Sequence, residues 1–207
     1  MERKTFALRA LPGRRNAVEA KLKALSGEAL GAARRQGIDN FSVWGVEDMF
    51  YGYGEYQEPD SGAALWEAVE KAAQGDAEIL CVPGSMRLMY HDIGVVREDK
   101  ALIRHRVFST KLKPGCEDEY KRRHDALVEA RGDAVSEGPD SNFTIWYGAG
   151  YIFGYDEKVL SFDHEPTEAE KAADIAWETR QLEIMDWLTD DVDWITGQKH
   201  EAIRRII

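Results

Sequence analysis

Two cysteines, no apolar run near membrane-spanning length, and a deficit of basic residues set the first limits on this 207-residue chain. Cys81 and Cys116 lie in unrelated contexts and form no CxxC pair, so reduced thiols are expected rather than a disulfide framework. The apolar runs fall far short of the ~20 residues that span a bilayer. The opening "MERKTFALRALPGRR" carries charge on both sides of a broken apolar stretch, which fits neither a signal peptide nor an anchor. A cytoplasmic protein with no membrane partner is the expectation. Lys and Arg number 27 against 38 Asp and Glu, a net charge of −11, which repels phosphate and argues against a nucleic-acid partner. No GxGxxG, P-loop or Ser-His-Asp signature is present. What remains, 43% apolar and 31% charged residues, describes an ordinary globular chain.

What is present is a duplication. Shifted by 102 residues, Thr5–Tyr56 aligns with Val107–Lys158 without a gap, with 12 identities in 52 positions. Composition alone would give roughly three. Pro12-Gly13 falls on Pro114-Gly115, "NFSVW" (40–44) on "NFTIW" (142–146), and "FYGYGE" (50–55) on "IFGYDE" (152–157). Each copy reads as strand, Pro-Gly turn, helix, two strands with a tight connection, helix and closing strand. The closing strands are expected in 86–96 and 201–207. The order β-α-β-β-α-β is the ferredoxin-like arrangement, whose sheet is covered by helices on one face only. The fold expected is therefore α+β: two tandem ferredoxin-like repeats packed sheet-to-sheet as an intrachain pseudo-dimeric α+β barrel. The boundaries are 1–96 for repeat 1, 97–105 for a charged linker and 106–207 for repeat 2.

The copies differ on one helix. At about 100° per residue, Tyr120, His124, Leu127 and Val128 share an arc, and the matching arc in repeat 1 is Val18, Leu22, Leu25 and Ser26. Repeat 1 has an ordinary apolar stripe. Repeat 2 replaces two of its members, one turn apart, with a phenol and an imidazole. A buried, hydrogen-bonded pair is the bland explanation. The acceptance of Val and Leu at the same positions shifts weight toward chemistry, because His titrates near neutrality and Tyr is a neutral donor or acceptor. The run Glu117–Glu119 ahead of Lys121–Arg123 is read as helix electrostatics.

"PGCEDEYKRRHDAL" (114–127), "NFTIW" (142–146) and "YIFGYDE" (151–157) resemble the motifs of L-rhamnose mutarotases, small ferredoxin-like proteins that form dimers. The resemblance covers most of the first half of repeat 2 and, in degenerate form, repeat 1. It implies that His124 is the general acid/base, that Tyr120 is the active-site tyrosine, and that neither metal nor nucleotide is required. The implied reaction exchanges the α and β anomers of a monosaccharide, L-rhamnose or a related pyranose, by ring opening and reclosure. A group of pKa 6–7 plus a hydroxyl suffices for it. Val128-Glu129 stands where the family has Trp-Pro, and the family's adjacent tryptophans fall near Gln181-Leu182, flanked by Trp177 and Trp187. A non-catalytic sugar-binding or regulatory module on the same scaffold is the alternative, and a cofactor-free oxygenase of the same architecture is a third.

Substrate contacts are expected from Trp146, Tyr155 and Lys111, although strand aromatics usually pack in cores and a strand-end Lys is usually solvated. His91-Asp92 and "DHE" (163–165) have no third ligand at usable spacing for a metal site. The acidic run "DWLTDDVDW" (186–194) reads as a segment with one wet face, suited to docking. The chain is expected to be a monomer by internal duplication or to pair further as a homodimer.

Overall fold

A computed structural model of the chain describes residues 1–97, 103–135, 140–159, 167–187 and 203–207. The core of the linker, "DHE" (163–165) and most of the acidic run lie outside the described residues. Repeat 1 runs β1 (Glu2–Ala10), α1 (Arg15–Arg35), β2 (Ile38–Val46), β3 (Met49–Tyr56), α2 (Ala63–Ala73) and β4 (Ala77–Cys81). β5 (Arg87–Asp92) follows. Repeat 2 runs β6 (Ile103–Leu112), α3 (Glu117–Arg131), β7 (Asp140–Gly148), β8 (Tyr151–Val159), α4 (Glu168–Gln181) and β9 (Met185–Trp187), with β10 (Arg204–Arg205) near the end. β6 starts at Ile103, so residues 103–105 belong to a strand rather than to the linker.

The fold is α+β with two ferredoxin-like repeats, as expected. The sheet orders are β10-β2-β3-β1-β4 and β5-β7-β8-β6-β9. Within each, β4-β1-β3-β2 and β9-β6-β8-β7 have the ferredoxin-like order, so β4 and β9 are the closing strands. The segments expected to close their own repeats do something else. β5 adds to the sheet of repeat 2 beside β7, and β10 adds to the sheet of repeat 1 beside β2. By contacts, the chain accordingly divides into Met1–Arg87 with Ala202–Ile207, and Leu88–Glu201. Hydrophobic pattern gives a strand's existence, not which edge it joins, and each short edge strand covers backbone groups that would otherwise be open.

Local chemistry explains the elements. Two-residue turns at Glu47-Asp48 and Ala149-Gly150 join the central hairpins, with positive φ at Glu47 (49°), Ala149 (52°) and Gly150 (88°). Thr167 and Glu170 form a capping box that starts α4, the Thr167 hydroxyl accepting from the Glu170 backbone N–H at 3.2 Å. α3 stops at Gly132, its last carbonyls accepting from the Gly132 N–H. Among the described residues no helix is long and apolar enough to cross a membrane, and both cysteines are free thiols.

One side of each sheet meets its helices. In the first unit that layer is a sealed apolar core of Phe6, Leu8, Val18, Leu22, Phe41, Val43, Leu65, Val69 and Ala73, with Ile206 and Ile207 from the exchanged strand. α1 packs along α2. Gly52 and Gly154 are the same position in the two copies, and a Cβ there would overlap the rings of Phe6 and Phe108. Gly52→Ala and Gly154→Ala are each expected to destabilise by about 1–3 kcal/mol through overpacking. Urea unfolding of the full chain measures this, and equal losses at both positions are the expected result.

Candidate functional site

A cavity of about 230 Å³ opens in the second unit, on the helix side of the sheet. Its walls come from β5 (Tyr90), β6 (Arg106, Phe108), α3 (Tyr120, His124, Leu127), β7 (Phe143, Ile145), α4 (Trp177, Glu178, Gln181) and β9 (Met185, Trp187). The volume lies below the ~300–1,000 Å³ of drug-sized ligand sites and suits a single small ring. Aromatic rings follow one another around it. Trp177 stands edge-on to His124 at 5.3 Å, His124 to Tyr90 at 5.5 Å, and Tyr90 to Phe143 at 5.4 Å. Phe143 meets Phe108 at 6.3 Å, and Phe108 meets Trp187 at 6.1 Å.

Comparison of the copies explains why this unit is hollow. The offset of 102 pairs Val18 with Tyr120 and Leu22 with His124. Sheet register extends the comparison: Ala10 faces Ala77 on β4, and Leu112 faces Met185 on β9, so Ala77 matches Met185. Counting back four residues to the end of each second helix pairs Ala73 with Gln181, and Val69 pairs with Trp177. Four aliphatic members of a sealed core are thus a phenol, an imidazole, an indole and a carboxamide in the other copy.

Tyr120 and His124 are both buried, their rings stacked 4.2 Å apart at 26°. The His124 Nδ1 lies 2.9 Å from the Tyr120 carbonyl oxygen. A carbonyl only accepts, so Nδ1 carries the hydrogen and, in the neutral ring, Nε2 is the basic nitrogen. Burial pushes the imidazole down to about 4, more than the hydrogen bond to Tyr120 lifts it. The expected group of pKa 6–7 is therefore a neutral base of lower pKa, because desolvation disfavours the imidazolium. Burial also pushes the Tyr120 phenol well above its ordinary value, keeping it a neutral donor.

Arg123 anchors the corner that carries Gln181 and Glu183. It is buried, bonds Glu119 at 2.7 Å and Glu183 at 2.9 Å, and donates to the Arg180 carbonyl. Lys113 donates to the carbonyls of Leu182 (2.8 Å) and Glu183 (3.0 Å). In the first unit Lys21 reaches the corresponding corner through Asp76 at 2.7 Å. On the cavity wall Glu178 accepts from Trp187 Nε1 at 2.6 Å. Behind the wall, Asp156 pairs in register with Arg106 and is fully buried, with no donor from another residue on either oxygen. Burial and the facing Asp140 carboxyl raise Asp156 well above the carboxylate range.

His124 and Tyr120 stand where the sequence pattern put them. Trp146, Tyr155 and Lys111, expected to contact substrate, do not line this cavity. Strand alternation turns all three to the other sheet face, away from Phe108 and Ile145. Tyr155 donates to Glu157 at 3.0 Å, Trp146 pairs with Phe153, and exposed Lys111 lies over the Tyr151 ring at 5.9 Å. Missed were Tyr90, which only the strand exchange delivers, and Gln181. The departure from the family's tryptophans near Gln181-Leu182 was the one sequence signal for the latter. Trp177 and Trp187, which could have been core, line the cavity.

No family model and no curated protein matches this chain. Among solved structures it is similar to a "Putative monooxygenase" from Fusobacterium nucleatum, at 10% identity and a TM-score of 0.43, covering 90% of this chain and 92% of that one. It is also similar to a glucooligosaccharide oxidase from Acremonium strictum, at 12% identity and a TM-score of 0.29, covering 81% and 41%.

The two buried groups give opposite pH signatures. The unfolded chain protonates histidine near 6.5, so His124 costs the fold stability as pH falls from about 6.5 through about 4, by up to about 3 kcal/mol. Asp156 contributes stability at low pH that is lost as pH rises above the ordinary carboxylate range. His124→Leu, the residue of the other copy, is expected to flatten the acid limb of a stability–pH curve, and Asp156→Asn the upper limb. Urea titrations from pH 4 to 8 measure both.

Proposed function

We propose that this chain is a mutarotase-like isomerase that interconverts the α and β anomers of a monosaccharide, with one working pocket in the second unit. The observation that carries this reading is the stacked Tyr120–His124 pair on the cavity wall, with Nδ1 committed to the backbone and Nε2 left as the base. The resemblance of "EYKRRH" to the L-rhamnose mutarotases supports the assignment of roles.

The chemistry needs no hydride and no nucleophile. His124 Nε2 takes the proton of the anomeric hydroxyl, and the Tyr120 hydroxyl gives its proton to the ring oxygen. The C1–ring-oxygen bond breaks while the C1 carbonyl forms, leaving imidazolium beside phenolate, each offsetting the other's charge across a 4.2 Å stack. Rotation about C1–C2 turns the carbonyl, the ring recloses on its other face, and both protons return. The aromatic walls suit the C–H faces of a pyranose. The sealed core in place of Tyr120, His124, Trp177 and Gln181 leaves the first unit a structural partner in this reading.

Saturation-transfer NMR on reducing monosaccharides tests it. The expected result is anomer exchange above the buffer rate, reduced about 10²–10⁴-fold in His124→Ala and clearly reduced in Tyr120→Phe. The acid limb of kcat/KM is expected near pH 4, where the buried imidazole titrates. Exchange at the buffer rate for every sugar, or an unchanged rate in His124→Ala, would sink the proposal.

A further inference from the structure

Gln181 is the last residue of α4, is 2% exposed and lines the cavity, yet neither its Nε2 nor its Oε1 has a hydrogen-bond partner. A buried carboxamide with both ends unmade is destabilising, and Ala73 holds the matching place in the first unit at no such cost. Nothing about building the corner requires the amide. The backbone bond there, Ile184 N–H to the Gln181 carbonyl at 2.9 Å, is independent of the side chain. Among the cavity's other polar groups, Glu178 accepts from Trp187, His124 and Tyr120 serve proton transfer in the reading above, and Tyr90, Arg106 and Asp174 complete the polar lining.

We propose that Gln181 is the specificity-determining residue of the pocket, its amide, covered by neighbours in the empty cavity, turning to read two hydroxyl groups on adjacent carbons of the sugar ring, one by its carbonyl oxygen and one by its amide N–H. A carboxamide presents one acceptor and one donor side by side, which matches neighbouring hydroxyls that can each play either role. The inference rests on reading the pocket as a monosaccharide site, and it identifies the feature of the sugar that is selected. A ligand lacking either hydroxyl leaves half of the amide buried and unpaired, the situation in which polar sites discriminate most strongly.

The test is binding to the full chain, by calorimetry, of glucose, galactose, mannose, fucose and rhamnose, with their methyl glycosides. The sugar that binds is then compared with its single-deoxy analogues. Methyl glycosides cannot exchange anomers, so binding is scored apart from turnover. The wild type is expected to lose at least tenfold in affinity for two analogues, deoxygenated at neighbouring carbons. Gln181→Leu is expected to bring parent and analogues within about threefold of each other, and Gln181→Glu to lose discrimination at one carbon only. Ligand-free Gln181→Leu is expected to melt about 2–4 °C higher, since two unpaired buried atoms are removed. Discrimination kept in Gln181→Leu, a lowered melting point, or no binding by any sugar overturns the inference. Gln181-dependent binding without anomer exchange would remove the isomerase and leave this assignment standing. Anomer exchange with a KM and deoxy-sugar preference unmoved in Gln181→Leu would do the reverse.

Discussion

A buried carboxylate in each copy fixes which side chains reach the helix side of its sheet. Glu157 Oε1 accepts from Asn142 Nδ2 at 3.1 Å and from the Tyr155 hydroxyl at 3.0 Å. The same set recurs as Glu55, Asn40 and Tyr53, at 3.2 and 3.0 Å. Asn142 sits at φ 53° and Asn40 at φ 52°, each inside the bulge where the register of its hairpin shifts. An extra residue in a strand reverses the in–out alternation beyond it. Here the bulge lets Asp140, Phe143 and Ile145 share one face while Thr144 and Trp146 take the other. Without it, the aromatic wall of the cavity would turn away from His124. "NFSVW" and "NFTIW" are therefore the most alike stretches for a geometric reason: both encode the bulge.

On that common frame the copies spend their helix layers differently. One fills the layer with aliphatic side chains and closes it with α1 on α2. The other places rings around a hollow and accepts an imidazole held neutral far below its ordinary pKa, a carboxyl that retains its proton, and an unpaired carboxamide. Each of these weakens the unit that holds it, in the way that a binding site usually does. The strain is carried by a corner tied down through Arg123 and Lys113, which hold the end of α4 where Gln181 must stand.

Much of this was readable from residues. The duplication, the ferredoxin-like order of elements and the odd pair Tyr120–His124 all follow from local pattern, because periodicity and internal comparison are properties of the chain itself. That Trp146, Tyr155 and Lys111 lie away from the Tyr120–His124 cavity was not legible, because an aromatic or basic residue on a strand does not announce its face. For Trp146 the bulge at 141–144 sets that face, and its signal, an Asn before an aromatic, is legible only once the partner Glu157 is known to lie across from it. Tyr90 was invisible for another reason, since a strand of the first repeat gave no hint of joining the second sheet.

The sequence by itself determined that the chain is two copies of one α+β unit and that only one copy carries the Tyr120–His124 pair. Those conclusions rest on spacing and substitution, which need no coordinates. Tertiary structure decided the rest: which edge each fifth strand completes, that a cavity opens between α3, α4 and the sheet, that Nε2 rather than Nδ1 of His124 is the basic nitrogen, and that Gln181 lines the cavity with its amide unpaired. Each depends on long-range pairing and on burial, and these are set by what the folded chain brings together.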